Sequence, residues 1–419
     1  MQASPTLRDV VKVFEYDQFG RMGKAFLPYT VYNTNELLRP QGTTEQASFY
    51  QAPLATIPKE TQRPYSENTY DNSPLNRVIS QAGVGTAWHN AGRTVQTTTR
   101  IDNSNRIYFF RYNDETEPPT LDTRYGNTDG RYPPGMLTYQ EQVDEENHVS
   151  REYKNMFGRS VLKEVEESAG SYFQTYTVYD VVGNVRVVFP PEASAKLAEY
   201  FEASTAGKQA FLNRWTFQYR YDEYSRTVAK RIPGADWVHY VYDTWDRAVL
   251  TQDGAQRTRN EWLFTKYDIF NRPVATGTYT TTRTHAELRA DVKAIVDPAR
   301  RYETPAAGTV GYTLSNTFPA GIADANLLTI VYYDNYNFLT SQWDQENNIG
   351  AYAYTPVAGL PLTFPLLTSV KDKTTGSKTR IVGQGRWLNA VTYYDRKYNV
   401  VQTMAENHLG GVDRLTSVV

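Results

Sequence analysis

WVHYVYDTWDRAVLTQDGAQRTRNEWLFTKYDIFNR, residues 237–272, holds two copies of one pattern. A run of β-branched and aromatic residues ends in Tyr-Asp, and a turn former stands three residues after the aspartate. Outward from this stretch the phrase recurs at YDQFGR (Tyr16), YDVVGN (Tyr179), YDEYSR (Tyr221) and YDNYNF (Tyr333), beside YDTWDR at Tyr242 and YDIFNR at Tyr267. The steps from Asp222 to Asp243 and on to Asp268 are 21 and 25 residues, room for two short strands and their two turns. One repeat is therefore about one hairpin.

The chemistry of the motif points to the same unit. An aspartate at the first position of a type I turn accepts hydrogen bonds from the backbone ahead of it, and Gly or Asn three residues later tolerates the left-handed conformation. The residues expected to build these turns are Tyr16, Asp17 and Gly20; Tyr179, Asp180 and Gly183; Tyr221 and Asp222; Tyr242 and Asp243; Tyr267, Asp268 and Asn271; and Tyr333, Asp334 and Asn337. The same rule places turns without the Tyr-Asp phrase at Ser73–Asn76, Asp102–Asn105, Asp144–Asn147 and Asn155–Gly158. Flanking runs such as VRVVF (Val185–Phe189), WTFQYRY (Trp215–Tyr221), WLFTKY (Trp262–Tyr267) and LTIVYY (Leu328–Tyr333) read as strands of an antiparallel sheet.

The fold class is accordingly all-β, a continuous ribbon of antiparallel hairpins with two short helical insertions. THAELRADVKAIVD opens with a capping box, Thr284 to Glu287, and puts Leu288, Val292 and Ile295 on one face. EASAKLAEYFEA after Pro190-Pro191 spaces Leu197 and Phe201 for a second amphipathic segment, within residues 192–213. Asn113–Met136 and Ala351–Gly385, broken by proline and glycine, are expected as long loops. The pattern divides the chain into an N-terminal β region, 1–150, and a denser repeat region, 151–419.

Composition narrows the function. The chain of 419 residues has 44 Lys+Arg against 46 Asp+Glu, so it carries no footprint for nucleic acid or an anionic membrane. With no cysteine there is no disulfide and no thiolate site. No long apolar run or leader pattern occurs, so neither membrane insertion nor a signal peptide is read in this segment. Tyr leads the aromatics, 33 against 17 Phe and 7 Trp, which suits half-buried pleated surfaces.

Catalytic candidates are thin. His89, His148, His239, His285 and His408 have no second histidine at ligand or relay spacing, and structural or solvated roles are expected for all five. Asp144-Glu145-Glu146 lacks the spaced oxygens of a calcium loop, and Gly83-Val84-Gly85 lacks the third glycine of a dinucleotide site. No enzyme activity, cofactor or metal is expected.

A longer series of phrases carries a family resemblance: YDQFGRMGKAFLPY (Tyr16–Tyr29), EQASFYQ (Glu45–Gln51), SPLNRV (Ser73–Val78), FPPEA (Phe189–Ala193), WLFTKYDIFNRPVATGTY (Trp262–Tyr279), VTYYD (Val391–Asp395) and ENHLGG (Glu406–Gly411). In this series the chain resembles bacterial RHS/YD-repeat proteins, in particular the N-terminal region of RHS-repeat-associated proteins. The resemblance implies a partial spiral shell that encloses a toxin or other cargo polypeptide, secreted or displayed at the cell surface as part of a larger protein. Its partners would be the remainder of the shell and a C-terminal cargo or toxin domain. Two departures stand out: the lone Asp-Pro, Asp297-Pro298, follows a predicted helix, so no self-cleavage is carried over, and YDRKYN at Tyr394 has Tyr398 where a turn former is expected.

The alternative is a surface adhesin whose exposed aromatics stack on glycans, which would require Trp and Tyr to gather on one exposed strip. The segment also begins and ends close to strands. Unpaired edges there are expected to drive self-association of the isolated chain.

Overall fold

The computed structural model describes residues 8–32, 39–51, 62–114, 117–125, 128–308, 310–339, 352–356 and 366–417. The chain is all-β, with twenty-five strands and seven α-helices among the described residues, none of the helices longer than 11 residues. It divides into two compact units, Met1–Phe217 and Gln218–Val419. The division at residue 150 marks a change in motif density, a different property from compactness.

In the first unit the ribbon runs through Phe14–Tyr16, Met22–Phe26, Tyr65–Tyr70, Val78–Ala82, Thr94–Asp102, Leu137–Val143, Val149–Lys154, Ser160–Ser168, Ser171–Tyr179 and Val185–Phe189. Each strand pairs antiparallel with the one before it. The second unit repeats the scheme through Thr227–Arg231, Val238–Tyr242, Ala248–Gln252, Glu261–Tyr267, Pro273–Thr280, Leu327–Asn335, Ser369–Arg380, Trp387–Tyr394, Val400–Glu406 and Val412–Thr416, with Phe217–Tyr221 leading in.

Besides shifts at Tyr153/Lys154, Glu166/Ser168, Thr276/Gly277 and on both sides of Tyr333, register shifts recur at one place in the hairpins. They occur at Tyr16, Tyr70, Tyr179, Tyr221, Tyr242, Tyr267 and Tyr394, the last strand residue before each turn. A type I turn closed by one left-handed residue adds a residue to one strand, so the bulge is the geometric cost of that turn.

Each unit has its own core. In the first, Leu162, Tyr176, Val178 and Phe189 of the sheet pack with Leu197, Tyr200 and Leu212 of the helices Leu197–Glu202 and Thr205–Trp215. In the second, Trp262, Phe264 and Ile330 pack with Leu288 and Val292 of the helix His285–Lys293. That helix opens on the expected capping box, with Thr284 Oγ1 accepting from the Glu287 backbone and the Glu287 carboxylate accepting from Thr284 N.

Three helices escape the sequence pattern: Gly42–Gln51, Thr86–Asn90 and Gly254–Thr258. The first is anchored by a polar residue, Gln46, fully buried with its Nε2 donating to the carbonyls of Leu27 and Pro64, so no apolar stripe announces it.

The expectation of an unbroken loop over Ala351–Gly385 is corrected by the 12-residue strand Ser369–Arg380, paired on both sides. Its sequence, SVKDKTTGSKTR, is polar because its buried members are satisfied: Thr375 is fully buried and its hydroxyl donates to the carbonyls of Tyr332 and Asn335. Backbone pairing is blind to hydropathy, and a hydrogen-bonded threonine costs little to bury. Residues 357–365 of that stretch lie outside the described residues.

Candidate functional site

The Tyr-Asp turns are built alike. Oδ1 of Asp17 accepts from the backbone of Phe19 and Arg21 at 2.8 and 3.0 Å, and Oδ1 of Asp222, Asp243 and Asp268 accepts from the residues two and four further on. The third position after each aspartate is left-handed: Gly20 at φ +74°, Ser225 and Asp246 at +61°, and Asn271 at +62°. Oδ2 accepts from the Nε of the following arginine, 2.7 Å at Arg21 and Arg272, 2.8 Å at Arg226 and Arg247. These carboxylates are thus saturated within their own turns.

The same arginines reach the next hairpin. Arg21 Nη1 donates to the Asp71 carbonyl, Arg226 Nη1 to the Asp243 carbonyl, Arg247 Nη1 to Asn271 Oδ1, and Arg272 to both carboxylate oxygens of Asp334. Each guanidinium also lies between two rings. One is the turn's own aromatic, Phe19, Tyr224, Trp245 or Phe270; the other is the motif tyrosine of the next hairpin, Tyr70, Tyr242, Tyr267 or Tyr333. That tyrosine donates its hydroxyl back across the edge: Tyr70 to Met22 O, Tyr179 to Ser160 O, Tyr242 to Thr227 O, Tyr267 to Ala248 O, Tyr333 to Pro273 O and Tyr394 to Thr374 O, all within 3.1 Å. The result is a clasp of carboxylate, guanidinium and phenol that joins neighbouring hairpins along one edge within each unit.

The sequence reading found the tyrosines and aspartates but not the arginine or the aromatic two residues after the aspartate. Both were visible as the sixth and fourth letters of YDQFGR, YDEYSR, YDTWDR and YDIFNR. Tyr16 is exposed, on the first ribbon strand. Asp180 keeps the turn with Gly183 at φ +103°, but Arg186 rather than the fourth residue supplies its guanidinium. Asp395 closes a turn of the same form with Tyr398 left-handed at φ +66°.

Asp334 departs from expectation. It sits inside a strand at φ +71°, and Asn335, not Asp334, accepts from Asn337 N to set the turn that follows. Its carboxylate is occupied by Arg272 and by the Asp372 backbone, so it has no capacity to cap its own turn. The Arg272 hydrogen bonds hold it below the usual carboxylate range.

Where Asp102 begins a turn, with Ser104 N donating to its side chain and Asn105 left-handed, the chain departs on an excursion before returning at Leu137. Its described residues between 107 and 136 lie against the turns Asn155–Gly158 and Asp180–Gly183 and line a half-open cavity of about 580 Å³ with them. Tyr125, Phe109 and Tyr132 form a stack in its wall, Phe109 to Tyr132 at 4.0 Å and 16°.

In the second unit His239 and His285 are brought together, rings 4.3 Å apart and 7° from parallel, beside Trp262. Sequence spacing gave no hint of this pair, since one comes from a strand and the other from the first turn of a helix. His285 Nε2 donates to Tyr240 O, and Arg257 Nη2 donates to His239 Nδ1. Burial, then repulsion from His285 and Arg257, pushes His239 down to about 3; burial lowers His285 as well. Both rings are neutral at neutral pH.

The same unit buries an ion pair. Lys266 Nζ donates to Glu303 Oε1 at 2.9 Å and to both oxygens of Thr317, and the Glu303 carboxylate also accepts from Thr313, Asn316 and Thr317. Burial pulls Lys266 below its ordinary value. Glu303 stays in the ionised range because these donors outweigh the burial that would raise it. The arrangement is a strut between the sheet and the 281–326 insertion.

The remaining sequence candidates are scattered. His89 lies in the helix Thr86–Asn90, His148 pairs with Asp144 at a turn, and His408 lies in the turn closed by Gly410 N on Asn407 O. Asp297 caps a short 3-10 turn, Pro298–Arg300. Among the described residues no group of three or more His, Asp or Glu is disposed to hold a metal, and no helix is long and apolar enough to cross a membrane.

Residues 1–101 match the family described as a domain of unknown function (DUF6443). No curated protein matches the chain. Among solved structures the chain is similar to one of TcdB2-TccC3, at 12% identity and a TM-score of 0.40, covering 97% of this chain and 17% of that one. It is also similar to one of the Photorhabdus luminescens Tc holotoxin pore, at 12% identity and 0.39, covering 97% and 16%. The chain therefore spans about a sixth of the length of the structures it matches.

Proposed function

We propose that the chain is a non-catalytic wall segment of a larger RHS/YD-type β-sheet shell that encloses a toxin or other cargo polypeptide, secreted or displayed at the cell surface as part of a longer protein. The observation that carries this reading is the clasped edge. A hairpin ribbon whose turns at Asp17, Asp222, Asp243 and Asp268 are each locked to the next hairpin by a guanidinium between two rings is suited to building an extended wall. Its charged groups are consumed in doing so: the carboxylates of Asp17, Asp222, Asp243 and Asp268 each take two backbone donors and a guanidinium, so their oxygens are already engaged within the turn.

The adhesin reading is less favoured. The turn aromatics of the second unit do follow one edge, but a face of Tyr224, Trp245 and Phe270, as of Phe19 in the first unit, is already covered by an arginine.

The test is limited proteolysis of the longest protein that contains this chain. A cargo segment within the shell should resist a protease that digests the same segment expressed alone, and paired Arg247→Lys and Arg272→Lys changes should expose it. Equal digestion of the enclosed and free segments would sink the proposal.

A further inference from the structure

The turn Asn155–Gly158 breaks one rule of the clasp. At the position where the other motif turns carry aspartate it has Asn155, whose Oδ1 accepts from the same two backbone groups, Phe157 N at 3.0 Å and Arg159 N at 3.1 Å. Gly158 is left-handed at φ +73°, and its N–H donates to the Asn155 carbonyl at 2.9 Å. The turn is intact, and only the negative charge has gone.

The consequence falls on Arg159. Arg21, Arg226, Arg247 and Arg272 each have a carboxylate on Nε, whereas Arg159 enters no ion pair among the described residues. It makes one long hydrogen bond, Nη1 to the Asp180 carbonyl at 3.4 Å. It is nonetheless held in place, between Phe157 and Tyr179 and close enough to Gly183 that a Cβ there would stand 2.4 Å from its Nη2.

This positioned, uncompensated cation lines the 580 Å³ cavity under the excursion. The two carboxylates on the same wall are spoken for: Asp122 is gripped by Arg124, and Asp180 by Arg186 and two backbone donors. Rings make up much of the remaining lining, with the Tyr125–Phe109–Tyr132 stack on one side and Phe157 on the other, and Arg111, Asn113 and Thr177 complete it.

We propose that the cavity is a binding site for an aromatic carboxylate, its flat body against the tyrosine and phenylalanine rings and its carboxylate on the Arg159 guanidinium. Volume and lining are those of small-molecule sites, which hold a few polar groups within apolar walls. A guanidinium matches the planar fork of a carboxylate.

Asn155→Asp makes the decisive test, because it gives Arg159 the internal partner that the other turns already have while preserving the turn. The probe is 2-naphthoate, its neutral isostere 2-naphthamide, and the readout is titration calorimetry on the full chain with thermal melting run in parallel. The unaltered protein should bind naphthoate about tenfold or more tighter than naphthamide, the worth of one charge-assisted bond. Asn155→Asp and Arg159→Gln should each abolish that preference, and Asn155→Asp should do so without lowering the melting temperature. Tyr125→Ala should weaken both probes alike. Equal affinity of the unaltered protein for the two probes, no binding of either, or a naphthoate preference that survives Asn155→Asp would overturn the assignment.

Discussion

The guanidinium of Arg272 stands 4.3 Å from the ring centroid of Tyr333, in the next hairpin of the ribbon. Its two Nη groups hold Asp334 at 2.8 and 2.6 Å while its Nε holds Asp268 at 2.7 Å. One side chain thus meets two carboxylates and a π face, which requires a planar fork with donors on several edges.

Arg272→Lys keeps the charge but loses the fork and the stack. It should cost about 1–3 kcal/mol in urea unfolding. Arg283→Lys, in an exposed pair with Asp291, should stay within about 0.5 kcal/mol. Equal shifts for the two would mean that the clasp contributes no more than surface charge.

Gly183 combines φ +103° with the Arg159 guanidinium where a Cβ would go, while its neighbour Val182 is 72% exposed. Gly183→Val should therefore destabilise by about 2 kcal/mol or more and Val182→Thr by less than about 0.5 kcal/mol. Differential scanning calorimetry of both would detect the gap.

Tyr398 occupies the left-handed slot that Gly20 and Asn271 fill elsewhere. Asparagine adopts that conformation more readily, so Tyr398→Asn should stabilise the protein, by about 0.5–1 kcal/mol. A lower melting temperature for the variant would show that the tyrosine ring contributes more than its backbone costs.

The contrast between Gly183 and Tyr398 shows what the sequence made legible. Tyr-Asp followed by a turn former has a local cause, and it sufficed to place the hairpins and the all-β class. The clasp partners did not follow from it, because Arg272 meets Tyr333 only after an insertion has left the sheet and returned. The strand Ser369–Arg380 stayed hidden because its buried polar residues are satisfied by bonds that hydropathy does not register. The His239–His285 stack and the cavity were beyond reach for a similar reason, since both arise where an insertion folds back on the sheet.

The histidine pair sets a pH dependence. His239 has a folded value of about 3 against an ordinary 6.5, so the unfolded chain takes up the proton first. The stability contributed by the neutral ring is complete above about pH 6.5 and is lost progressively as pH falls toward 3. Melting temperature should decline between pH 7.5 and 5.0, and His239→Phe, which keeps a ring in the stack, should flatten that decline. An identical slope in the variant would assign the acid sensitivity elsewhere.

The separations spanned by the clasps carry a final consequence. Arg226 reaches a partner 17 residues away, Arg247 one 24 away, Arg21 one 50 away and Arg272 one 62 away, all through the guanidinium Nη1. Adjacency across the edge, not distance along the chain, selects the partner, so the clasp is indifferent to how much polypeptide lies between. Closing a longer loop costs only about 0.6 kcal/mol per doubling of its length. The edge itself therefore sets no limit on how much chain lies between its hairpins; what such a segment must keep is set by its own contacts, as with Leu288 in the core and Glu303 on the buried Lys266.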